Sequence, residues 1–281
     1  MQQRPQPSRL AGVSAFELVH QYDAVNLYRR GAAAKIELNR PERMNAWNTQ
    51  LALDLLAAVE RMVEPDVRAV LITGAGRSFS SGADLKEGVG QTPGGRPDVY
   101  RVLTERYHPI IVTIREMAKP VVAAVTGAAA GVGLSLALAC DMIIAAESAY
   151  FLLAFVNIGL VPDGGSSLLV PARVGFARAT EMAMLGERIA ARQALEWGLI
   201  NRVCPDADLA PAADELVSRL AEGPTSSYAG TKRQLNTWLY QRMDEQLELE
   251  ARIQQEMTGS SDFAEGVSAF TQKRPARFTG T

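Results

Sequence analysis

Residues 73–85 read Thr73-Gly74-Ala75-Gly76-Arg77-Ser78-Phe79-Ser80-Ser81-Gly82-Ala83-Asp84-Leu85, and they follow the apolar run Arg68–Thr73. That run predicts a short buried strand. Gly82 allows a turn barred to residues with a side chain. The N–H groups after it, starting with that of Ala83, then point outward without partners. A second stretch, Thr126-Gly127-Ala128-Ala129-Ala130-Gly131-Val132-Gly133, repeats the arrangement after the expected strand Val121–Val125 and opens a helix. The first N–H groups of a helix lack an intrahelical acceptor and carry partial positive charge. Two such turns side by side would present two donors to one developing negative oxygen, and losing one such donor costs about 10²–10³ in rate. Each turn alone is equally compatible with packing. Neither continues into Gly-Lys-Ser/Thr, and neither carries Gly-x-Gly-x-x-Gly in the dinucleotide-binding setting, so a nicotinamide cofactor is disfavoured.

Around these turns, strands and helices alternate. Ala24–Tyr28 and Ala34–Leu38 flank Arg29-Arg30-Gly31 as an expected hairpin. Helical periodicity marks Asn48–Val63 and Asp98–Met117, with Pro109 inside the second as a candidate kink. Leu134–Ala139 is apolar nearly all round and should be buried. Further strands are expected at Met142–Ala145 and Leu199–Val203, and short helices at Ala179–Leu185 and Ala190–Trp197. After Pro205 only helices are expected, near Leu209–Ala221, Ser226–Tyr240 and Met243–Gln255. The pattern is that of an α/β fold with a mainly parallel sheet. It divides the chain into a flexible tail over 1–16, a core over 17–205, and a helical covering and assembly region over 206–281. The segment Gly88–Pro97, rich in Gly and Pro, reads as a mobile loop.

Composition narrows the chemistry. The 281 residues include 29 Lys and Arg against 31 Asp and Glu, a net charge of −2 that offers no basic field for nucleic acid or an anionic membrane. No apolar stretch has the length and flanks of a membrane span, and Met1–Arg9 lacks the apolar region of a signal peptide. A cytoplasmic location is expected. The only cysteines, Cys140 and Cys204, sit in apolar runs and read as buried free thiols. With His20 and His108 the only histidines, no zinc site of ordinary type can be assembled, and a Ser-His-Asp triad has little to draw on. Carboxylates and backbone groups must carry the chemistry.

At the two turns the chain resembles the crotonase, or enoyl-CoA hydratase/isomerase, superfamily. The resemblance runs from about Ala24 to the C-terminus. It rests on Asn39-Arg40-Pro41 with Asn45-Ala46, on Ser81–Leu85, on Lys119-Pro120-Val121 leading into Gly127–Gly133, and on Gly159-Leu160-Val161-Pro162-Asp163-Gly164-Gly165. It implies a spiral of ββα repeats with a helical C-terminal region, assembled as a homotrimer or a dimer of trimers. It also implies an acyl-CoA thioester substrate, with coenzyme A as part of that substrate and no separate cofactor. The N–H groups of Ala83 and Val132 would bind the thioester oxygen. Met44, Ala46, Ser81, Asp84 and Leu85 would lie near the CoA. Phe270 and Lys273 would reach the CoA of their own or of a neighbouring subunit, although Lys273 also fits a solvated surface charge.

The chain departs from the hydratase pattern where the chemistry is decided. Water addition needs one group to activate water and another to protonate carbon. The positions matching the family's two glutamates hold Ser135 and Phe155, and neither can do that work. Asp163, in Pro162-Asp163-Gly164, would by itself read as a turn residue. The run from Phe151 to Gly165 resembles the isomerase branch, which includes Δ3-Δ2-enoyl-CoA isomerases and the ring-epoxide isomerase of phenylacetate breakdown, and there a carboxylate at this position is the single base. The expected activity is therefore a double-bond shift in an enoyl-CoA or ring-derived acyl-CoA, with Phe155 shaping the acyl pocket. A hydratase with a non-standard base and a non-catalytic acyl-CoA binder remain as alternatives.

Overall fold

A computed structural model describes residues 15–281. The tail expected over 1–16 lies outside the described residues except for Ala15 and Phe16. Phe16 is already packed, with the cations of Arg30 and Lys35 over its ring. The next residues form a strand that the sequence reading omits, β1 (Glu17–Gln21). All of its side chains are exposed, so it carries no apolar alternation to reveal it.

The hairpin is present as β2 (Val25–Arg30) and β3 (Ala33–Leu38), turned by Gly31 at φ +56°. Helix α1 (Thr49–Arg61) follows, its first turn capped by the side chain of Asn48. Strand β4 (Ala69–Gly74) leads through the first glycine-rich turn and the 88–97 loop to α2 (Val99–Val102). That helix widens into a π-helical stretch, Leu103–Tyr107, before α3 (His108–Glu116). The His108 N–H reaches the Leu103 carbonyl, five residues back, and the expected kink is replaced by this widened turn. The cause is Pro109, whose ring crowds the preceding turn and which has no N–H to offer it.

Strand β5 (Val121–Val125), the short strand β6 (Ala128–Ala130) and α4 (Val132–Ala139) come next, and every α4 residue is buried. Then come β7 (Met142–Ala146), β8 (Tyr150–Leu152) and α5 (Ser166–Leu185). The sequence reading finds only the end of α5, because Pro171 and Gly175 interrupt its pattern; Gly175 breaks the helix at φ +78°. Strand β9 (Ile189–Ala190), α6 (Ala191–Glu196) and β10 (Arg202–Cys204) complete the alternating part. The last strand lies later than the expected Leu199–Val203. Of the two thiols Cys140 is buried, whereas Cys204 is only half-buried.

Seven strands form the large sheet in the order β1-β2-β3-β4-β5-β7-β10. It is antiparallel at the hairpin edge and parallel from β3 onward. Between each of β3, β4, β5 and β7 and the next helix the chain makes a second, short extended pass. These passes pair with one another: Trp47 bridges Ala83, Ser80 bridges Ala129, and β6 pairs β8, which pairs β9. The chain thus repeats strand, short strand, helix four times, through α1, α2–α3, α4 and α5. Helix α7 (Leu209–Glu222) lies on the sheet against β3, β4, β5 and β7, while α8 (Thr225–Leu239), α9 (Met243–Met257) and α10 (Ser261–Gln272) follow it.

Asn45 ties the first turn to the hairpin side. It is fully buried at φ +53°, a conformation its short polar side chain tolerates. Its Oδ1 accepts from the Arg40 N–H at 2.8 Å, and its Nδ2 donates to the carbonyls of Ala75 and Ser78 at 2.9 and 2.7 Å. Asn45→Ala leaves those groups unpaired and strains the backbone, and should destabilise the fold by about 2–4 kcal/mol in urea titration. A change within 0.5 kcal/mol, roughly that of an ordinary surface substitution, would contradict this role.

Candidate active site

The two glycine-rich turns meet backbone to backbone. A Cβ on Gly131 would lie 3.8 Å from the Gly82 Cα, and one on Gly82 would lie 2.9 Å from the Ala130 carbonyl oxygen. Ser80 and the β6 strand hold them in register, with the Ser80 N–H donating to Ala128 at 2.9 Å and the Ala130 N–H to Ser80 at 3.0 Å. On the other side, the Trp47 N–H donates to Gly82 and the Asp84 N–H to Trp47. That pairing uses the groups on either side of Ala83, so the Ala83 N–H faces away from the ladder. Val132 is the first residue of α4, and its N–H has no acceptor one turn back. Neither N–H donates to another backbone group among the described residues.

A third turn closes on the same place. Gly164, at φ +60°, sits so that a Cβ would come within 3.0 Å of the Ser135 Cβ and 3.7 Å of a Val132 methyl. Asp163 is buried beside it. The Ser135 hydroxyl donates to the Asp163 main-chain oxygen at 2.8 Å, and the Ser166 hydroxyl does the same at 2.8 Å. Ser135 thus holds the turn of the carboxylate rather than acting in its place. Among the described residues the Asp163 carboxyl has one partner, the Gln254 amide, whose Nε2 donates to Oδ2 at 2.7 Å, and the buried Oδ1 has none. Burial raises this carboxyl from 3.8 to about 7, the Glu250 charge adds to the rise, and the Gln254 hydrogen bond partly opposes it.

Phe155 lies against Gly131, its ring 3.9 Å from where a Cβ would be. Met44, Ala46, Ser81, Asp84 and Leu85 come together on the ledge next to the first turn. The Ser81 N–H donates to Met44 at 3.0 Å, and Asp84 is ion-paired at 3.2 Å with Arg40, which also binds the Ala46 carbonyl at 2.6 Å. Asp84 therefore holds that ledge through Arg40. Phe270, on α10, and Lys273, just past its end, are exposed, and α10 packs on the turn Val156–Ile158.

Helix α9 and the π-helical stretch supply further buried polar groups that no motif in the sequence marks as part of the site. Gln246, Glu250 and Gln254 recur at every fourth residue of α9, which was the available signal. Glu250 accepts from the Gly165 and Ser167 N–H groups at 2.7 and 3.0 Å, at the start of α5. Burial nonetheless raises it to about 7. Tyr107 packs edge-on against Trp47, at 4.9 Å between ring centroids, and burial followed by the Asp163 charge raises its phenol. His108, next to it, is buried with Nε2 unpaired, and burial lowers it to about 4. Among the described residues, no cluster of three or more His, Cys, Asp or Glu could hold a metal ion, and no helix is long and apolar enough to cross a membrane.

A ββα spiral on a seven-stranded sheet with a helical C-terminal region is the crotonase fold, whose family acts on acyl-CoA thioesters. A sequence profile described as Enoyl-CoA hydratase/isomerase matches residues 29–281, and the chain belongs to that family. A Rhodobacter capsulatus protein named "Probable enoyl-CoA hydratase" is 44% identical over 88% of this chain and 94% of its own length. The 1,2-epoxyphenylacetyl-CoA isomerase of Escherichia coli is 41% identical over 87% of this chain and 94% of its own. The crystal structure of an enoyl-CoA hydratase from Mycobacterium avium subsp. paratuberculosis superposes with a TM-score of 0.83 at 38% identity, covering 92% of this chain and 100% of the other.

The raised carboxyls make stability depend on pH. Between their ordinary values and about 7, the native state binds protons that the unfolded chain has released, so stability falls as pH rises through that window. Asp163→Asn removes one of these groups. Its unfolding free energy should exceed that of the wild type by about 2–4 kcal/mol at pH 8, with the gap closing toward pH 4. Equal stability at both pH values would show that Asp163 is not held neutral by burial.

Proposed function

We propose that the chain is an acyl-CoA isomerase that moves a double bond from the 3- to the 2-position of an enoyl-CoA or of a ring-derived acyl-CoA. The observation that carries this reading is Asp163: a buried carboxyl with an unpaired oxygen, at the turn packed on Val132. Ser135 and Phe155 stand where the resemblance places the two glutamates of hydratases. A double-bond shift needs only one base. Asp163 takes a proton from the α-carbon, which the thioester acidifies. The electron pair moves onto the thioester oxygen as a dienolate, held by the N–H groups of Ala83 and Val132. Asp163 then returns the proton to the γ-carbon. The donors bind the dienolate more tightly than the neutral thioester, and that difference lowers the barrier. Protons move and no electrons are exchanged with an outside carrier, so the reaction requires no separate cofactor. A carboxyl near 7 is also well matched to its task, since it must accept and then release a proton at neutral pH.

A ring-derived acyl group is supported by the aromatic side chains of Phe155, Tyr107 and Trp47 and by the similarity to the Escherichia coli isomerase. The name of the Rhodobacter relative favours a second reading, hydration with Asp163 as the only base. One assay separates the two. Offered 3-enoyl-CoA and 2-enoyl-CoA, an isomerase yields a conjugated product of unchanged mass, and a hydratase yields one heavier by a water molecule. Tight binding without turnover would instead support a non-catalytic acyl-CoA binder. For the isomerase, kcat/KM should rise with pH through about 7, because the base must be ionised. Asp163→Asn should lower kcat by about 10³-fold or more while acyl-CoA binding survives. Substantial turnover in that variant would sink the assignment.

Assembly into a trimer or a dimer of trimers is supported by the apolar surface of the late helices. Lys232 is the only buried residue of α8, while Trp238 is 83% exposed. On α5, Phe176 and Met184 are also exposed. Trp238→Lys should reduce the sedimenting mass of the protein, and an unchanged mass would remove α8 from the interface.

A further inference from the structure

Gln254 is fully buried, on the face of α9 that also carries Glu250. Its amide is oriented unambiguously. The Val161 N–H, which can only donate, points at Oε1 at 3.3 Å, so the oxygen end faces Val161 and the Nε2 end faces Asp163. Nε2 then donates to Oδ2 at 2.7 Å, leaving Oδ1 buried without a partner. The Asp163 backbone is held as well, since its carbonyl accepts from the hydroxyls of Ser135 and Ser166. Main chain and carboxyl plane are thus both fixed, and only one oxygen is left to exchange a proton.

We propose that Gln254 is the positioning residue for the Asp163 base: its fixed amide engages Oδ2 and presents Oδ1 alone to the substrate. The inference rests on the reading of Asp163 as the base. A neutral donor suits this task. A lysine or arginine in its place would form an ion pair and hold the carboxyl ionised, unable to keep a proton between the two half-steps. A second acid would compete for the proton. With one oxygen both taking and returning it, the α- and γ-carbons must present the same face to Asp163. Among the described residues the titratable groups that face Asp163 are Glu250, from α9, and Tyr107, from the π-helical stretch, and no basic side chain hydrogen-bonds to its carboxyl.

The test compares wild type, Gln254→Met and Gln254→Glu as full-length proteins. Methionine keeps the volume and removes the donor; glutamate keeps the shape and replaces the donor with a second acid. The first readout is the infrared band of the Asp163 carboxyl, assigned by its loss in Asp163→Asn and followed against pH. The second is kcat and KM on a 3-enoyl-CoA. In Gln254→Met the midpoint of the band should rise by about one pH unit, because the hydrogen bond to the ionised form is gone. At pH 7, kcat should fall about 10- to 100-fold with KM little changed. In Gln254→Glu the midpoint should rise further, since a neighbouring acid disfavours ionisation. A merely structural role would lower activity and stability without moving the band. An active wild type whose band midpoint stays within about 0.3 pH unit in both variants overturns this inference alone. A wild type that binds acyl-CoA but does not isomerise it overturns the proposed function instead.

Discussion

The seam between the first two glycine-rich turns is the constraint on which the rest of the site depends. Ser80 and β6 exchange backbone hydrogen bonds there, and the chain beyond each must turn at once into the site. Four glycines make this possible by lacking a side chain. A Cβ on Gly127 would lie 2.1 Å from the Arg77 carbonyl oxygen, and one on Gly133 would lie 2.6 Å from the Ser80 Cβ. Gly82 and Gly131 face each other across the seam with backbone in contact, both at positive φ. If either turn moved out by the width of a methyl group, the donors proposed at Ala83 and Val132 could no longer converge on one oxygen within hydrogen-bonding distance. The parallel sheet behind them, with its apolar interior, keeps the seam from opening.

On this rigid frame the late part of the chain adds what the turns lack. Helix α9 packs against α5 and brings Glu250 to the α5 N-terminus and Gln254 to Asp163. Two carboxyls are thereby buried close together with amide and hydroxyl partners and no cation. Such burial favours the neutral form of each and lowers the stability of the fold above neutral pH. An apolar pair would pack there at less cost. A departure from the most stable choice, concentrated at one place, is the mark expected of a functional site.

The alternation of strands and helices around a mainly parallel sheet was legible because its signals are local, while the ββα spiral was what the family resemblance implied. Apolar runs of strand length, glycines at the turns and helical periodicity each occupy a few neighbouring residues. The failures were local as well. Strand β1 has no buried face, α5 is interrupted by Pro171 and Gly175, and α10 went unread as a helix. Ala83, Val132 and Asp163 were legible as members of turns whose residues are contiguous in the chain, and the family resemblance supplied their roles. Gln254 and Glu250 were not, because they sit 91 and 85 residues from the groups they bind, and nothing near them in sequence marks the partner.

The sequence by itself determined which backbone turns can exist, through glycine placement, and that Ser135 and Phe155 offer no acid or base at the positions where the resemblance expects glutamates. Steric exclusion and the presence or absence of an ionisable atom are properties of single residues, and so they survive in one dimension. The tertiary structure alone decided that Asp84 is committed to Arg40, that Ser135 serves the Asp163 backbone, and that the Asp163 carboxyl is buried, bonded to Gln254 and raised above the usual carboxylate range. Those outcomes depend on desolvation and on hydrogen bonds across the fold, and both come into being only when distant segments exclude water together.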